Sequence, residues 1–179
     1  GGLYMQSSDI KAVNITVVRN DAGEFGGGGY LNGGNIDLLN SIVYENSDQI
    51  YFDSPGGSSV TAKYTDFEGG QGGVLNKNAE DVIWKEGNGD FDPVVQEDFC
   101  VENPGRNKNT EFKSLALDAG DPSSRYNDPE WRLCVEGKAL TDTILDMHLI
   151  PDSNYVRNDM GAFGGPGGDW YLIGSGVYG

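Results

Sequence analysis

Apolar residues early in the chain alternate over short stretches: Ile10 and Ala12, then Ile15 and Val17; Ile36 and Leu38, then Ile42. A period of two belongs to strands with one buried face, whereas helices return an apolar residue every three or four positions. The runs are short and β-branched. Gly, Ser, Asn and Asp bound them, and these residues supply turns. The pattern therefore predicts brief strands separated by corners, with scarcely a helix candidate ahead of residue 70.

The pattern also repeats. The opening "GGLYMQSSDIKAVNITVVRN" returns as "GGYLNGGNIDLLNSIVYEN" at a shift of 26, setting Tyr4 on Tyr30, Ile10 on Ile36, Asn14 on Asn40, Val17 on Val43 and Asn20 on Asn46. A third copy, "IYFDSPGGSSVTAKYTDFEGG", follows at a shift near 23–24 and sets Val60 under Ile36, Phe67 under Val43 or Tyr44, and Gly69 under Asn46. Self-similarity at this period means stacked units, none of which buries its own apolar face alone. A leucine-rich repeat would need a recurrent Leu-x-x-Leu-x-Leu, which is missing. Short strands, irregular corners and this period predict an all-β parallel β-helix over residues 1–99. Its last coil is irregular, with a weak strand at Val82–Trp84. Ile10–Ile36–Val60 and Val17–Val43 are the expected inward columns, and Asn20 with Asn46 the expected amide ladder at one corner. Only about three regular coils are expected, so the first leaves an open strand edge. Either upstream coils or another chain, a second copy included, would cover it.

These residues resemble the right-handed parallel β-helix repeats of the pectin-lyase-like superfamily. The resemblance implies three strands per coil, stacked at ~4.8 Å, with the right-handed crossover usual for parallel strands. Two later blocks resemble the "choice-of-anchor" tail that closes secreted bacterial β-helix proteins. Residues 114–122, "SLALDAGDP", fit the first part of that tail, with Leu115 where proline is usual. "RNDMGAFGGP", residues 157–166, fits the second, and Asn127-Asp128-Pro129 stands at the acidic turn. On this resemblance residues 100–168 are a loop-rich C-terminal cap and 169–179, "DWYLIGSGVYG", a tail, a linker or a strand donated to a neighbour's edge. The insertion 130–153 departs from the family pattern and includes a short helix candidate, "LTDTILDMHLI".

Charge narrows the partners. With 28 acidic against 12 basic residues the chain carries a formal −16, which repels nucleic acid and anionic membrane surfaces. No apolar run reaches the ~18–20 residues of a membrane-spanning helix. Aromatic residues at 11% and patterned Val, Ile and Leu argue against a disordered acidic chain. Cys100 and Cys134, with His148 the single histidine, do not make a zinc set. They read either as an extracellular disulfide, worth roughly 3–4 kcal/mol, or as two small buried hydrophobes. A chain opening on Gly1-Gly2 is expected to have been processed or truncated.

Candidate chemistry is sparse. Asp118, Asp121 and Asp159 sit on Gly-containing loops, where they cap the last coil through backbone N–H groups and Arg157 or bind Ca²⁺. "NGDFDP" is a further acidic turn. Asp9, Lys11, Asp37, Lys63 and Asp66 scatter along the flank like a solvated face, and Arg19 aligns with Glu45 as a surface ion pair. His148 has no evident Ser–Asp partner for a triad, so no catalytic residue is assigned. Tyr4, Tyr30 and Phe52 line one side, with Tyr44, Tyr64 and Phe67 on another. They read as corner stacking or as a platform for sugar rings. Asn14-Ile15-Thr16 matches the glycosylation sequon. The expected function is an extracellular or cell-surface β-helical scaffold or adhesin, or a fibre subunit, with polysaccharide as a candidate partner. The alternative is the C-terminal piece of a polysaccharide lyase or hydrolase whose catalytic coils lie upstream.

Overall fold

The computed structural model describes residues 2–93, 114–116, 119–126 and 160–161, with the backbone alone of 131–132 and 150–151. The repeats form a parallel β-solenoid of about three turns. The first turn holds β1 (Leu3–Val13) and β2 (Thr16–Val18), the second β3 (Gly29–Leu39) and β4 (Ile42–Tyr44). The third holds β5 (Ile50–Phe52), β6 (Ser58–Lys63) and β7 (Asp66–Phe67), and β8 (Val74–Leu75) with β9 (Val82–Trp84) opens the next.

Register follows the sequence repeat. β1 pairs with β3 so that Tyr4 meets Tyr30, Ile10 meets Ile36 and Ala12 meets Leu38. β3 then pairs with β5 along its first half and with β6 along its second, carrying Ile36 to Val60. β8 extends β5, and β9 extends β6, so the weak strand expected at Val82–Trp84 is the last rung of this sheet. β2, β4 and β7 make a second parallel sheet, with Val17, Val43 and Phe67 in line.

Alternation decides what is buried. Along β6 every second residue is buried, and Ile36, Val60 and Val82 fill one interior column while Met5, Leu31 and Phe52 fill another. Removing each such side chain from water contributes about 1.5–3 kcal/mol. Ile10 is in register with Ile36, but β1 is the outer strand of its sheet, and Ile10 stays 43% exposed.

One alignment is corrected. Phe52 does not join the row of Tyr4 and Tyr30: it pairs with Leu31 inside the core, and Tyr51 takes the outward place. The third turn reaches β5 in fewer residues and recovers part of the spacing with the loop 53–57 between β5 and β6. A single shift cannot represent both changes. Phe67 likewise stacks under Val43 in the interior, leaving Tyr44 and Tyr64 to pack on an outer cluster.

The corners need unusual backbone. Asn14, Asn40 and Tyr64 have positive φ at the bend after β1, β3 and β6, and Arg19 and Glu45 have it after β2 and β4. Asparagine tolerates this conformation better than most residues. Within β3 the kink falls on Gly33 and Gly34, and a Cβ on Gly34 would lie 2.0 Å from the Ser8 carbonyl oxygen. Only glycine fits. The expected amide ladder forms: Asn46 Oδ1 accepts from the Asn20 backbone N–H at 3.0 Å and from its Nδ2 at 3.1 Å.

Among the described residues the only helical segments are 3₁₀ turns of three or four residues, and none is long and apolar enough to cross a membrane. In the insertion, β10 (Trp131–Arg132) pairs antiparallel with β11 (Ile150–Pro151). The helix candidate ends on β11, at Ile150; its remaining residues, His148 included, lie outside the described residues, as do Cys100, Cys134, Asp118, Asp159 and 169–179.

Candidate functional site

Two flanks of the solenoid carry side chains that the interior does not use. On the first, Tyr4, Tyr30 and Tyr51 occupy equivalent outward positions of β1, β3 and β5. Their ring centroids are 5.9 Å and 5.6 Å apart, with planes 14° and 26° from parallel. Phe25 stacks on Tyr51 at 4.4 Å and 15°. This is offset stacking, in which each ring covers part of its neighbour's face. Tyr30 has a ring on either side, and Tyr51 is stacked by both Tyr30 and Phe25. Tyr4 and Phe25 are the two ends of the set, each with a single stacking partner among the described residues, and they are the most exposed of the four at 67% and 51%.

Those two rings line one cleft. It measures about 450 Å³ and is walled by Gly2, Leu3, Tyr4, Ala22, Phe25, Gly26 and Tyr30. Local backbone explains why Phe25 reaches it. Gly26 has φ +73, and a Cβ there would lie 2.8 Å from the Tyr30 Cβ, so glycine lets the chain press against the row. The loop is pinned from the next turn: the Gly26 N–H donates to Asp48 Oδ2 at 3.2 Å and the Ala22 N–H to Ser47 Oγ at 3.2 Å. The Tyr30 hydroxyl donates to Asp53 Oδ1. That bond, with burial behind it, pushes the phenol up to about 12, so Tyr30 is a neutral donor across the ordinary pH range.

The flank carboxylates fall into structural pairings. Asp9 Oδ1 accepts from Asn35 N and Nδ2 at 3.1 and 2.7 Å, and Asn35 Oδ1 accepts from the Ser59 hydroxyl at 2.6 Å. Asp37 stands beside Lys11 in register, one row away from Asp9. Arg19 Nε meets Glu45 Oε2 at 2.8 Å, the ion pair that the repeat predicts. Asp66 is different, and its reading as a solvated flank residue is corrected. It is fully buried, one oxygen accepts the Phe91 N–H at 3.1 Å, and the other has no partner among the described residues. Burial chiefly, with Asp90, Asp92 and Glu68 adding to it, pushes its carboxyl up to about 7.

The second flank is covered by the tail. Asn40 is fully buried; its Oδ1 accepts the Asp121 N–H at 2.7 Å and its carbonyl accepts the Gly161 N–H at 2.7 Å. Asn14 Nδ2 donates to the Gly161 carbonyl at 3.3 Å, and the Met160 N–H donates to the Ala116 carbonyl at 3.0 Å. Ala116 and Met160 pack with Val18 and Ile42 in a second apolar cluster. The two tail blocks therefore meet on the corner of Asn14 and Asn40. Asp121 Oδ1 accepts the Ser123 N–H at 2.9 Å, and Oδ2 lies 3.5 Å from Lys63 Nζ. No group of three or more His, Cys, Asp or Glu among the described residues is placed to hold a metal.

Sequence reasoning missed Phe25, a lone aromatic in a Gly-rich stretch with no repeat partner. It also missed the role of Asn14 and Asn40, although their equal spacing was visible. No protein-family model, curated protein or solved structure matches the chain.

Proposed function

We propose that the chain is an adhesive scaffold of the cell surface or extracellular space: a pectin-lyase-like β-helix with a choice-of-anchor-type tail that binds polysaccharide at the Tyr4–Phe25 cleft. One observation carries this reading. Two exposed rings, each with one stacking partner among the described residues, line the same open cleft. A sugar's C–H face presents weak positive charge and apolar area, which matches the negative face of an arene. Leu3 and Ala22 add apolar wall, and the backbone of Gly2 and Gly26 allows close approach. The solenoid supports adhesion because strand β1 fixes Tyr4, and bonds from the next turn pin the loop that carries Phe25, so little ordering is needed on binding. Adhesion fits better than cleavage: Asp9 is occupied by Asn35, and Asp37 stands beside a lysine.

Screening the full chain on immobilised glycans, followed by calorimetric titration of the hits, tests the reading. Tyr4→Ala and Phe25→Ala are each expected to weaken binding about tenfold, the equivalent of ~1.4 kcal/mol. Asp37→Asn, outside the cleft, should leave it unchanged. Retention of full affinity by both aromatic variants, or no binding to any glycan, would refute the proposal. Antibody labelling of intact cells tests the location.

A further inference from the structure

On the adhesive reading above, we infer that the cleft takes a saccharide bearing protonated amines in preference to a neutral one, and rejects uronates. None of the seven residues lining it is cationic. Carboxylates are tied to its wall residues or adjoin them in the chain. Asp48 holds the N–H of Gly26, a wall residue; Asp53 holds the hydroxyl of Tyr30, another; Glu24 is exposed and adjoins Phe25 in the chain. Arg19, in the strand end preceding this loop, has its guanidinium on Glu45 at 2.8 Å. The rest of the chain deepens the same field, with a formal −16.

The consequences follow from electrostatics. A uronate entering the cleft approaches several fixed carboxylates with no cation of the wall to meet it. A protonated amine carried on a sugar ring gains from each of them. None of the carboxylates lines the cleft itself, so water weakens each contact and salt screens it within about 10 Å. The gain is therefore modest per charge and strongly salt-dependent. It adds to ring stacking, which is indifferent to salt. Charge thus sets the choice among saccharides, and the aromatic faces set whether any is held.

Three hexasaccharide probes separate these contributions in titrations of the full chain at low salt and mildly acidic pH: a glucosamine oligomer, its N-acetylated counterpart, and a galacturonate oligomer. The glucosamine oligomer is expected to bind about five- to tenfold more tightly than the acetylated one, with galacturonate weakest. Raising the salt should erase most of that difference. Glu24→Gln should reduce the preference about twofold while leaving affinity for the acetylated oligomer unchanged, since glutamine keeps the size of the side chain and removes only its charge. Galacturonate binding as tightly as the acetylated probe, or an amine preference that Glu24→Gln leaves undiminished, overturns the inference and leaves the adhesive reading standing. Failure of all three probes to bind overturns the inference, and the glycan screen above then decides the adhesive reading separately.

Discussion

The two flanks of this solenoid are built from the same device and come to opposite ends. Each repeats one residue type at equivalent places in successive turns: tyrosine at 4, 30 and 51, asparagine at 14 and 40. On the aromatic flank the repeated side chains satisfy one another by stacking and leave two faces open to solvent. On the asparagine flank the repeated groups are amides and carbonyls in a positive-φ bend, and their unspent hydrogen-bonding capacity draws the tail back onto the solenoid. Rings need only a neighbour of their own kind. Buried amides need a donor or acceptor from elsewhere, because leaving one unmade costs about 1–3 kcal/mol. The open flank is therefore available for a ligand, while the covered flank is committed to the fold.

The sharpest way to break the covered flank is at Gly161. Its φ is +96, and a Cβ there would lie 2.7 Å from Thr16 Oγ1 and 2.9 Å from Ile42 Cδ1. Gly161→Val adds a strained backbone, a steric clash and the loss of the bonds to Asn14 and Asn40. We expect a loss of roughly 3–4 kcal/mol in urea unfolding. Residues 114–126 should also become sensitive to protease. A variant as stable and as protected as the parent would show that the tail does not depend on this corner.

Asp66 gives the same flank a pH dependence. Its carboxyl is raised to about 7 in the folded protein from an ordinary 3.8, chiefly by burial. A folded state that holds its proton more tightly than the unfolded chain is favoured at low pH. The contribution is complete below about pH 4 and is lost as pH climbs from there through 7. A shift of this size caps the effect near 4 kcal/mol, and relaxation of the site reduces it to about 2–3. Asp66→Asn should flatten that part of the stability curve and raise stability at pH 8. If the parent and the variant fall in parallel between pH 4 and 8, Asp66 is not the group responsible.

How much of this was legible in advance depends on whether the determining contacts lie within the repeat. Ile10, Ile36 and Val60 share a register because alternation and spacing encode it locally. The Asn20–Asn46 ladder and the Arg19–Glu45 pair follow from the same spacing. The outward place of Tyr51 rather than Phe52 did not, because an added loop partly offsets the shortened approach to β5 and hides it in the overall length. The burial of Asp66 was hidden for another reason. Its sequence position on the outer face of a strand reads as solvent, but Gly89 bridges to it and the Phe91 N–H bonds it from a segment some 25 residues on. Phe25 belongs to neither repeat row, so nothing local marked it as the fourth ring.

The smallest expected effect separates the stacked rings from the open ones. Tyr51 lies between Tyr30 and Phe25, so Tyr51→Ala removes two ring contacts and exposes the faces they covered. Aromatic pairs contribute about 0.5–1.5 kcal/mol beyond their area, so the loss should be about 1–2 kcal/mol in thermal or urea unfolding. Tyr4 has a single stacking partner, Tyr30, and is largely exposed. Tyr4→Ala should therefore cost no more than about 0.5 kcal/mol in stability. Its cost falls on ligand affinity instead. Equal stability losses at both positions would mean that the row is a structural stack throughout, with no face set aside for binding. A larger loss at Tyr4 than at Tyr51 would be harder still to reconcile, because it would put the covered faces at the wrong end of the row.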